Sequence, residues 1–340
     1  MNGFVELHQR YFNLNLQLLP SHYTSADTSR MTLAFFCLSG LDLLGVTYPH
    51  KQNAINWVYS LLIQGDLSGF RGGSGDGCQF DPTNSLPASA YDKPHLAMTY
   101  TALLTLLILG DDLKRVNKTA ILNTLKKCQQ PNGSFSPTTD ANDEADMRFL
   151  YCACTISYIL NDWSAIDIKM ALNFIKSCQN YDGAFGTCPS NESHGGSTYC
   201  AVASLTLMKR VDFIHRDKLI LWLLSRQHEG FHGRINKPDD TCYAYWIGGS
   251  LEMLGAYSFV QIDELEKFLE TTKSRFGGYG KVPDSYPDVM HSYMGLAGLA
   301  IAGKSELSKF YSPLGVSLRA VEYGKSLGFC NEFSQIPSKP

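Results

Sequence analysis

The chain has 340 residues, 44% hydrophobic and 18% charged, with 29 Lys plus Arg against 32 Asp plus Glu and a formal net charge of −3. That is enough apolar material for a large core. The absence of any basic stripe or Lys/Arg run excludes a general nucleic-acid binder and gives no sign of adhesion to anionic membrane. Ten cysteines follow a start, MNGFVELHQRYF, that has no apolar leader, so free thiols in a reducing, cytoplasmic setting are expected. No apolar stretch reaches the roughly 18–20 residues needed to cross a bilayer. Neither the Met-Asn-Gly start nor the IPSKP ending is a lipidation signal.

The first strongly apolar helix along the chain is SRMTLAFFCLSGLDLL, followed by the amphipathic INWVYSLLIQ and a Gly-aromatic turn at Ser68–Gly73 (SGFRGG). The next helix, HLAMTYTALLTLLILG, is apolar nearly all round. The succession then repeats. Turns at Gln130–Phe135, Gln179–Gly186, Gln227–Arg234 and Ser274–Lys281 precede MRFLYCACTISYIL, STYCAVASLTLM, CYAYWIGGSLEMLG and HSYMGLAGLAIAG. Glycine in these turns fits helix termination. A recurrence of about 50 residues indicates stacked supersecondary units. Helices apolar on every side are buried and one-faced helices are peripheral. Six inner and five or six outer helices in alternation predict an all-α fold, an α/α toroid of six hairpins. One domain is expected over residues 1–340, with a repeat core at about 28–303 and a less regular tail at 304–340.

In such a toroid the inner helices run parallel and their N-termini share one rim, where helix dipoles favour anions. The inner-helix starts carry His95, Arg148, His194, the run Gly233–Cys242, and Asp288–His291. Asp240-x-Cys242 with His291 offers oxygen, sulfur and nitrogen, three donors that suit a catalytic zinc with one open position. By spacing alone, a helix cap at Asp240 and a buried thiol at Cys242 is the better reading. Arg234 and Lys237 upstream, Tyr243 downstream and His194 on the neighbouring helix suit a diphosphate. A solvated basic loop accounts for the two cations equally well. Thr32, Phe36, Tyr100, Tyr151, Cys200 and Trp246 fall on the inner face, as plain core or as the wall of an apolar cavity.

The segments GGSTYC, HGRINKPDDTCYAYW and PDVMHSY resemble the β subunits of protein prenyltransferases, as do the three apolar helices SRMTLAFFCLSGLDLL, AMTYTALLTLLILGDDLKRVNK and ADMRFLYCACTISYILNDWS. The likeness spans roughly residues 4–300. It is strongest to the type I geranylgeranyltransferase branch. Farnesyltransferase relatives have a Trp where this chain reads Thr32 after Ser29-Arg30-Met31, and an Asp associated with magnesium where it reads Lys281. The resemblance implies one zinc ion per β subunit on Asp240, Cys242 and His291, with no magnesium requirement. It implies diphosphate binding by His194, Arg234, Lys237, Tyr243 and Lys281. It places Thr32, Phe36, Tyr100, Arg148, Tyr151, Cys200, Trp246 and Met290 around isoprenoid and peptide, with Met290 departing from an expected Leu. It further implies an obligate heterodimer with a helical α subunit, which transfers geranylgeranyl from its diphosphate to the Cys of a C-terminal Cys-aliphatic-aliphatic-X motif, X usually Leu or Phe, on proteins such as small GTPases. The alternatives are the Rab-type and farnesyl β subunits and, from a different class, a non-catalytic toroid scaffold. A terpene cyclase would want an Asp-rich motif, and Thr138–Asp146 reads instead as a solvated loop.

Overall fold

The computed structural model describes residues 3–75, 92–140 and 143–331. The inner helices are α2 (Arg30–Leu43), α4 (Leu96–Ile108), α6 (Met147–Ile159), α8 (Gly195–Leu207), α10 (Tyr243–Met253) and α12 (Val289–Ile301). The outer helices are α1 (Gly3–Gln17), α3 (Lys51–Ser60), α5 (Lys118–Cys128), α7 (Ile168–Ser177), α9 (Arg216–Leu224) and α11 (Ile262–Thr272), and α13 (Leu318–Ser326) follows the last hairpin. Each inner helix packs on the next, and α12 packs back on α2, so the ring closes. This is the six-hairpin α/α toroid expected from the alternation.

The division into rings follows from side-chain distribution. In α4, eleven residues from Leu96 to Ile108 are buried. In α11 only Leu265, Phe268, Leu269 and Thr272 are, spaced for one face of a helix. Two of the outer helices, α5 and α7, start on side-chain caps: Asn117 accepts from Ala120 N at 3.1 Å and Asp167 from Met170 N at 3.0 Å, contacts that each stabilise a helix by about 1 kcal/mol. α1 seats against the turn before α12. His8 stacks on Tyr279 at 5.0 Å and its Nδ1 accepts from Gly278 N. Burial, then the charge of Lys273, lower the His8 pKa to about 4 and keep the ring a neutral acceptor.

The Gly-aromatic turns do more than end helices. The carbonyls of Phe70, Phe135, Phe185 and Phe231 accept the N–H of His95, Asp146, His194 and Asp240. All four Phe rings are fully buried. Each turn thereby fixes the residue that leads the next inner helix. The following residue ties forward, to the loop of the next repeat: Met31 N to Gly72 O, Leu96 N to Pro137 O, Met147 N to Thr187 O, Gly195 N to Gly233 O and Thr241 N to Lys281 O. Glycine is needed where these turns approach outer helices. Gly133 has φ of 91°, and a Cβ there would lie 2.1 Å from Met170 O.

Beyond the repeats the chain adds two short strands and a helix. Residues 304–331 are ordered into the far end of the barrel, while 332–340 lie outside the described residues. Phe310–Tyr311 and Val316–Ser317 pair antiparallel, Phe310 opposite Ser317, and their tip enters the ring. Asp42, near the end of α2 and 7% exposed, accepts from Ser317 Oγ at 2.5 Å and from Arg319 Nε at 2.8 Å. Arg319 and Tyr323 also donate to the carbonyls of Ile108 and Gly110, and Cys330 N donates to Ile159 O. Two-residue strands are too short to leave a period in the sequence. Of the loop at Thr138–Asp146, residues 141–142 also lie outside the described set.

Candidate functional site

With the leading residue of each inner helix taken as position zero (Arg30, His95, Asp146, His194, Asp240, Asp288), the site residues fall into register. Position zero caps the helix in four cases, and in the fifth Asp240 caps the turn that leads into α10. His95 Nδ1, Asp146 Oδ1, His194 Nδ1 and Asp240 Oδ1 accept from the N–H two residues on, and Asp288 Oδ1 from His291 N. Position two carries Thr32, Arg148, Cys242 and Met290. Position three carries Tyr243 and His291. Tyr100 and Tyr151 stand at position five, and Phe36, Cys200 and Trp246 at position six. These offsets recur on the inward side of a helix of 3.6 residues per turn.

Asp240, Cys242 and His291 meet on neighbouring helices α10 and α12. Their ligand atoms all lie within 4.8 Å of one another, and all three residues are buried. His291 Nε2 lies 3.3 Å from Asp240 Oδ1, and its Nδ1 is 2.5 Å from Asp288 Oδ2. Burial pulls the imidazole pKa down. The hydrogen bonds and charges of Asp240 and Asp288 outweigh it and raise the value to about 9. Burial and the Asp240 carboxylate push the Cys242 thiol well above its ordinary range. Burial also works against the Asp240 carboxylate, but His291 and the Cys242 N–H hold its pKa below the ordinary value. A buried thiol, a carboxylate and an imidazolium packed this closely fit a cation: a metal ion replaces two protons and matches the O, S, N donor set of zinc. Asp288 was absent from the sequence-based set. Its role is to orient the ring and hold a proton on Nδ1. The available signal was an Asp three residues before a candidate ligand, at a cap position.

Beside this cluster stands a polar group on α8 and α10. His194 Nδ1 accepts from Gly196 N at 2.9 Å, so the neutral ring carries its proton on Nε2. Nε2 is 3.0 Å from Tyr243 Oη and donates to it. That leaves the Tyr243 O–H free to donate elsewhere. Burial, then the Arg234 charge, lower the His194 pKa and keep it neutral. Arg234 pairs with Glu192 at 3.1 Å, both partly exposed. Lys281 Nζ is 3.8 Å from Asp240 Oδ2, its backbone held by the Thr241 tie. Lys237 is exposed on the loop before Asp240. The cationic and hydroxyl donors thus lie on the metal side of the rim.

Arg148 lies elsewhere on the rim, half exposed and folded onto the fully buried Asp146, with NH2 to Oδ2 at 2.6 Å. Thr32, Phe36, Tyr100, Trp246 and Met290 are partly exposed although they belong to the inner ring, which marks a lumen. Tyr151 and Cys200 are buried at 5% and 6% exposure. Thr32 Oγ1 contacts Met98 Sδ at 3.5 Å. Among the described residues no helix is long and apolar enough to cross a membrane.

Comparison with known proteins accords with this geometry. The Prenyltransferase alpha-alpha toroid domain family matches residues 4–321. The geranylgeranyl transferase type-1 subunit beta of Dictyostelium discoideum is 42% identical over 332 residues, covering 92% of this chain and 94% of that protein. The Arabidopsis thaliana protein of the same name is 39% identical over 336 residues, covering 92% and 88%. The protein farnesyltransferase subunit beta of Schizosaccharomyces pombe is 30% identical over 321 residues, covering 87% and 77%. Among solved structures, Candida albicans protein geranylgeranyltransferase-I complexed with GGPP superposes with a TM-score of 0.84 at 29% identity, covering 95% of this chain and 98% of that one. The chain belongs to the prenyltransferase family of alpha-alpha toroids, with type-1 geranylgeranyl transferase β subunits among its relatives.

Proposed function

We propose that this chain is the catalytic β subunit of a zinc-dependent type I protein geranylgeranyltransferase, cytoplasmic and active as a heterodimer with a helical α subunit. The observation that carries the reading is the convergence of Asp240, Cys242 and His291 within 4.8 Å, beside the Tyr243 donor and above an aromatic lumen. The type-1 relatives, named as β subunits, support a second subunit, and the solved structure with GGPP supports the donor. Asp240, Cys242 and His291 would hold the zinc, one ion per subunit. Bound there, zinc supplies a Lewis-acid centre that keeps an incoming Cys sulfur as thiolate.

The chain's own groups then divide the work. A new bond forms between the substrate sulfur and C1 of geranylgeranyl diphosphate, the C1–O bond breaks, and diphosphate leaves with its electrons. The Tyr243 O–H, with its oxygen held by His194, donates to the departing oxyanion. Arg234, Lys237 and Lys281 balance its charge, with Lys281 making magnesium dispensable. Thr32, Phe36, Tyr100, Tyr151, Cys200 and Trp246 enclose the isoprenoid away from water, which otherwise hydrolyses an allylic diphosphate. Arg148 and Met290 face the peptide. Burying twenty carbons at about 0.8 kcal/mol each gives a gross gain on the order of 15 kcal/mol before ordering costs.

The test is co-expression with an α subunit and assay of fifteen- and twenty-carbon donors on peptides ending in Leu or Ser, with zinc and without magnesium. Preferred transfer of twenty carbons to the Leu peptide is expected, and Cys242→Ala is expected to lose zinc and turnover together. Full activity and stoichiometric zinc in that variant would sink the ligand assignment.

A further inference from the structure

Ring closure leaves one backbone group that the repeat cannot serve. In five of the six inner helices the residue after position zero donates its N–H to a carbonyl in the loop of the following repeat, from Met31 to Gly72 O through Thr241 to Lys281 O. These five ties measure 2.8–3.0 Å and use main chain alone. The corresponding residue of α12 is Val289, and no following repeat stands beyond it to receive the bond. Its N–H donates instead to Tyr23 Oη, at 2.9 Å. A side-chain hydroxyl takes the place that a carbonyl holds at the other five positions.

Tyr23 lies in the 3-10 segment Ser21–Ser29, which leads directly into α2. It reaches across the seam where α12 packs back on α2. Helix α1 fastens the same seam. His8 Nδ1 accepts from Gly278 N at 3.1 Å, and a Cβ on Gly278 would lie 2.6 Å from Ser292 Oγ and 2.9 Å from Tyr11 Cζ. The head of α12 is thus packed by α1 and tied by one hydroxyl.

The tie falls inside the frame of the metal cluster. Val289 directly follows Asp288, whose Oδ2 is 2.5 Å from His291 Nδ1. Fixing the Val289 N–H fixes the first turn of α12, the turn that aims the imidazole toward Asp240 and Cys242. On α10, the other helix of the cluster, the equivalent tie runs from Thr241 N to Lys281 O and is indifferent to side chains. On α12 the tie depends on a single side-chain atom. Bonds that orient a metal-binding side chain from behind add to metal affinity as well as to stability.

We propose that Tyr23 is a positioning residue for the metal cluster: its hydroxyl completes the ring of ties at α12 and holds His291 in register with Asp240 and Cys242. The inference rests on the zinc reading above. Coupling of this kind is reciprocal, so zinc at the cluster in turn secures the Tyr23 tie.

The experiment uses the purified heterodimer, stripped of zinc and titrated with zinc by calorimetry. Tyr23→Phe keeps the ring and removes the acceptor. Tyr323→Phe is the control, because it deletes another tyrosine-to-backbone bond, Tyr323 Oη to Gly110 O at 2.9 Å, at the opposite end of the barrel. Tyr23→Phe is expected to weaken zinc about tenfold. Its proton release on zinc uptake is expected to match the wild type, since Asp288 and His291 remain, and so is the affinity of the zinc-free protein for geranylgeranyl diphosphate. Tyr323→Phe is expected to lose thermal stability and to bind zinc as the wild type does. A further measurement needs no variant: zinc is expected to slow amide hydrogen exchange across residues 21–29 of the wild-type heterodimer by about tenfold, the reciprocal of the same coupling. Wild-type zinc affinity in Tyr23→Phe, an equal loss of zinc in Tyr323→Phe, or exchange at residues 21–29 that zinc leaves unchanged overturns the positioning role. A wild-type heterodimer that takes up no zinc overturns the zinc reading on which it rests.

Discussion

Replacing Asp288 by Asn isolates what the second carboxylate does for the metal cluster. Asn remains a good cap, so the bond from His291 N, 2.9 Å in the native chain, persists and α12 stays in place. What is lost is the negative charge 2.5 Å from His291 Nδ1. Removing such a carboxylate partner typically lowers metal affinity 10–100-fold, or about 1.4–2.7 kcal/mol. A second readout follows from the proton inventory. With its pKa raised to about 9, His291 carries two ring protons at neutral pH in the metal-free site, and the Cys242 thiol is protonated. Zinc uptake therefore releases about two protons near pH 7.5, and apparent affinity climbs with pH, less steeply once His291 has titrated because the Cys242 proton is still to be displaced. Calorimetric titration of zinc in buffers of different ionisation enthalpy measures both numbers. Asp288→Asn is expected to weaken zinc by 10–100-fold and to bring the proton count below two. Wild-type affinity together with a wild-type proton count would refute the orienting role.

Thr32→Trp fills lumen space beside Met98, and the ratio of fifteen- to twenty-carbon transfer is expected to rise by about tenfold or more in the heterodimer; an unchanged ratio places Thr32 outside the donor path. Lys281→Asp removes the cation 3.8 Å from Asp240 and is expected to make turnover respond to magnesium, read as rate against magnesium concentration. Tyr243→Phe keeps the ring and deletes the outward O–H. It is expected to lower kcat by about 100-fold with little change in the KM for donor, as for loss of an oxyanion donor. Arg319→Ala leaves the Asp42 carboxylate with Ser317 alone. Because the guanidinium is half exposed, a cost of about 1–2 kcal/mol is expected, seen as a lower thermal midpoint with unchanged zinc content.

The rings were legible because inner helices such as α4 are apolar on every side and outer ones such as α11 are not, a contrast that survives without any contact information. The cluster was not legible from spacing. Asp240 does cap the turn that leads into α10 and Cys242 is a buried thiol, so the plain reading of each residue is close to true as far as it goes. His291 lies 49 residues further on, and only ring closure brings it beside them. Asp288 was hidden for the same reason, as an ordinary cap. Tyr100 and Tyr151 were picked out as lining, but nothing local shows where a hydroxyl points. Arg148 was expected near a peptide end; its fork bond to Asp146 has no counterpart in periodicity.

The repeated register has a mechanical consequence. Position zero and the residues just after it amount to one address copied six times around a ring, and the proposed metal ligands and anion donors occupy adjacent copies at α12, α10 and α8. Packed helices stand roughly 8–10 Å apart. On the proposed reading, the gap between nucleophile and leaving group is therefore set by helix-to-helix spacing. A change of small core residues between α8 and α10, such as at Gly195 against Tyr243 and Ile247, would act on catalysis as a change of gauge.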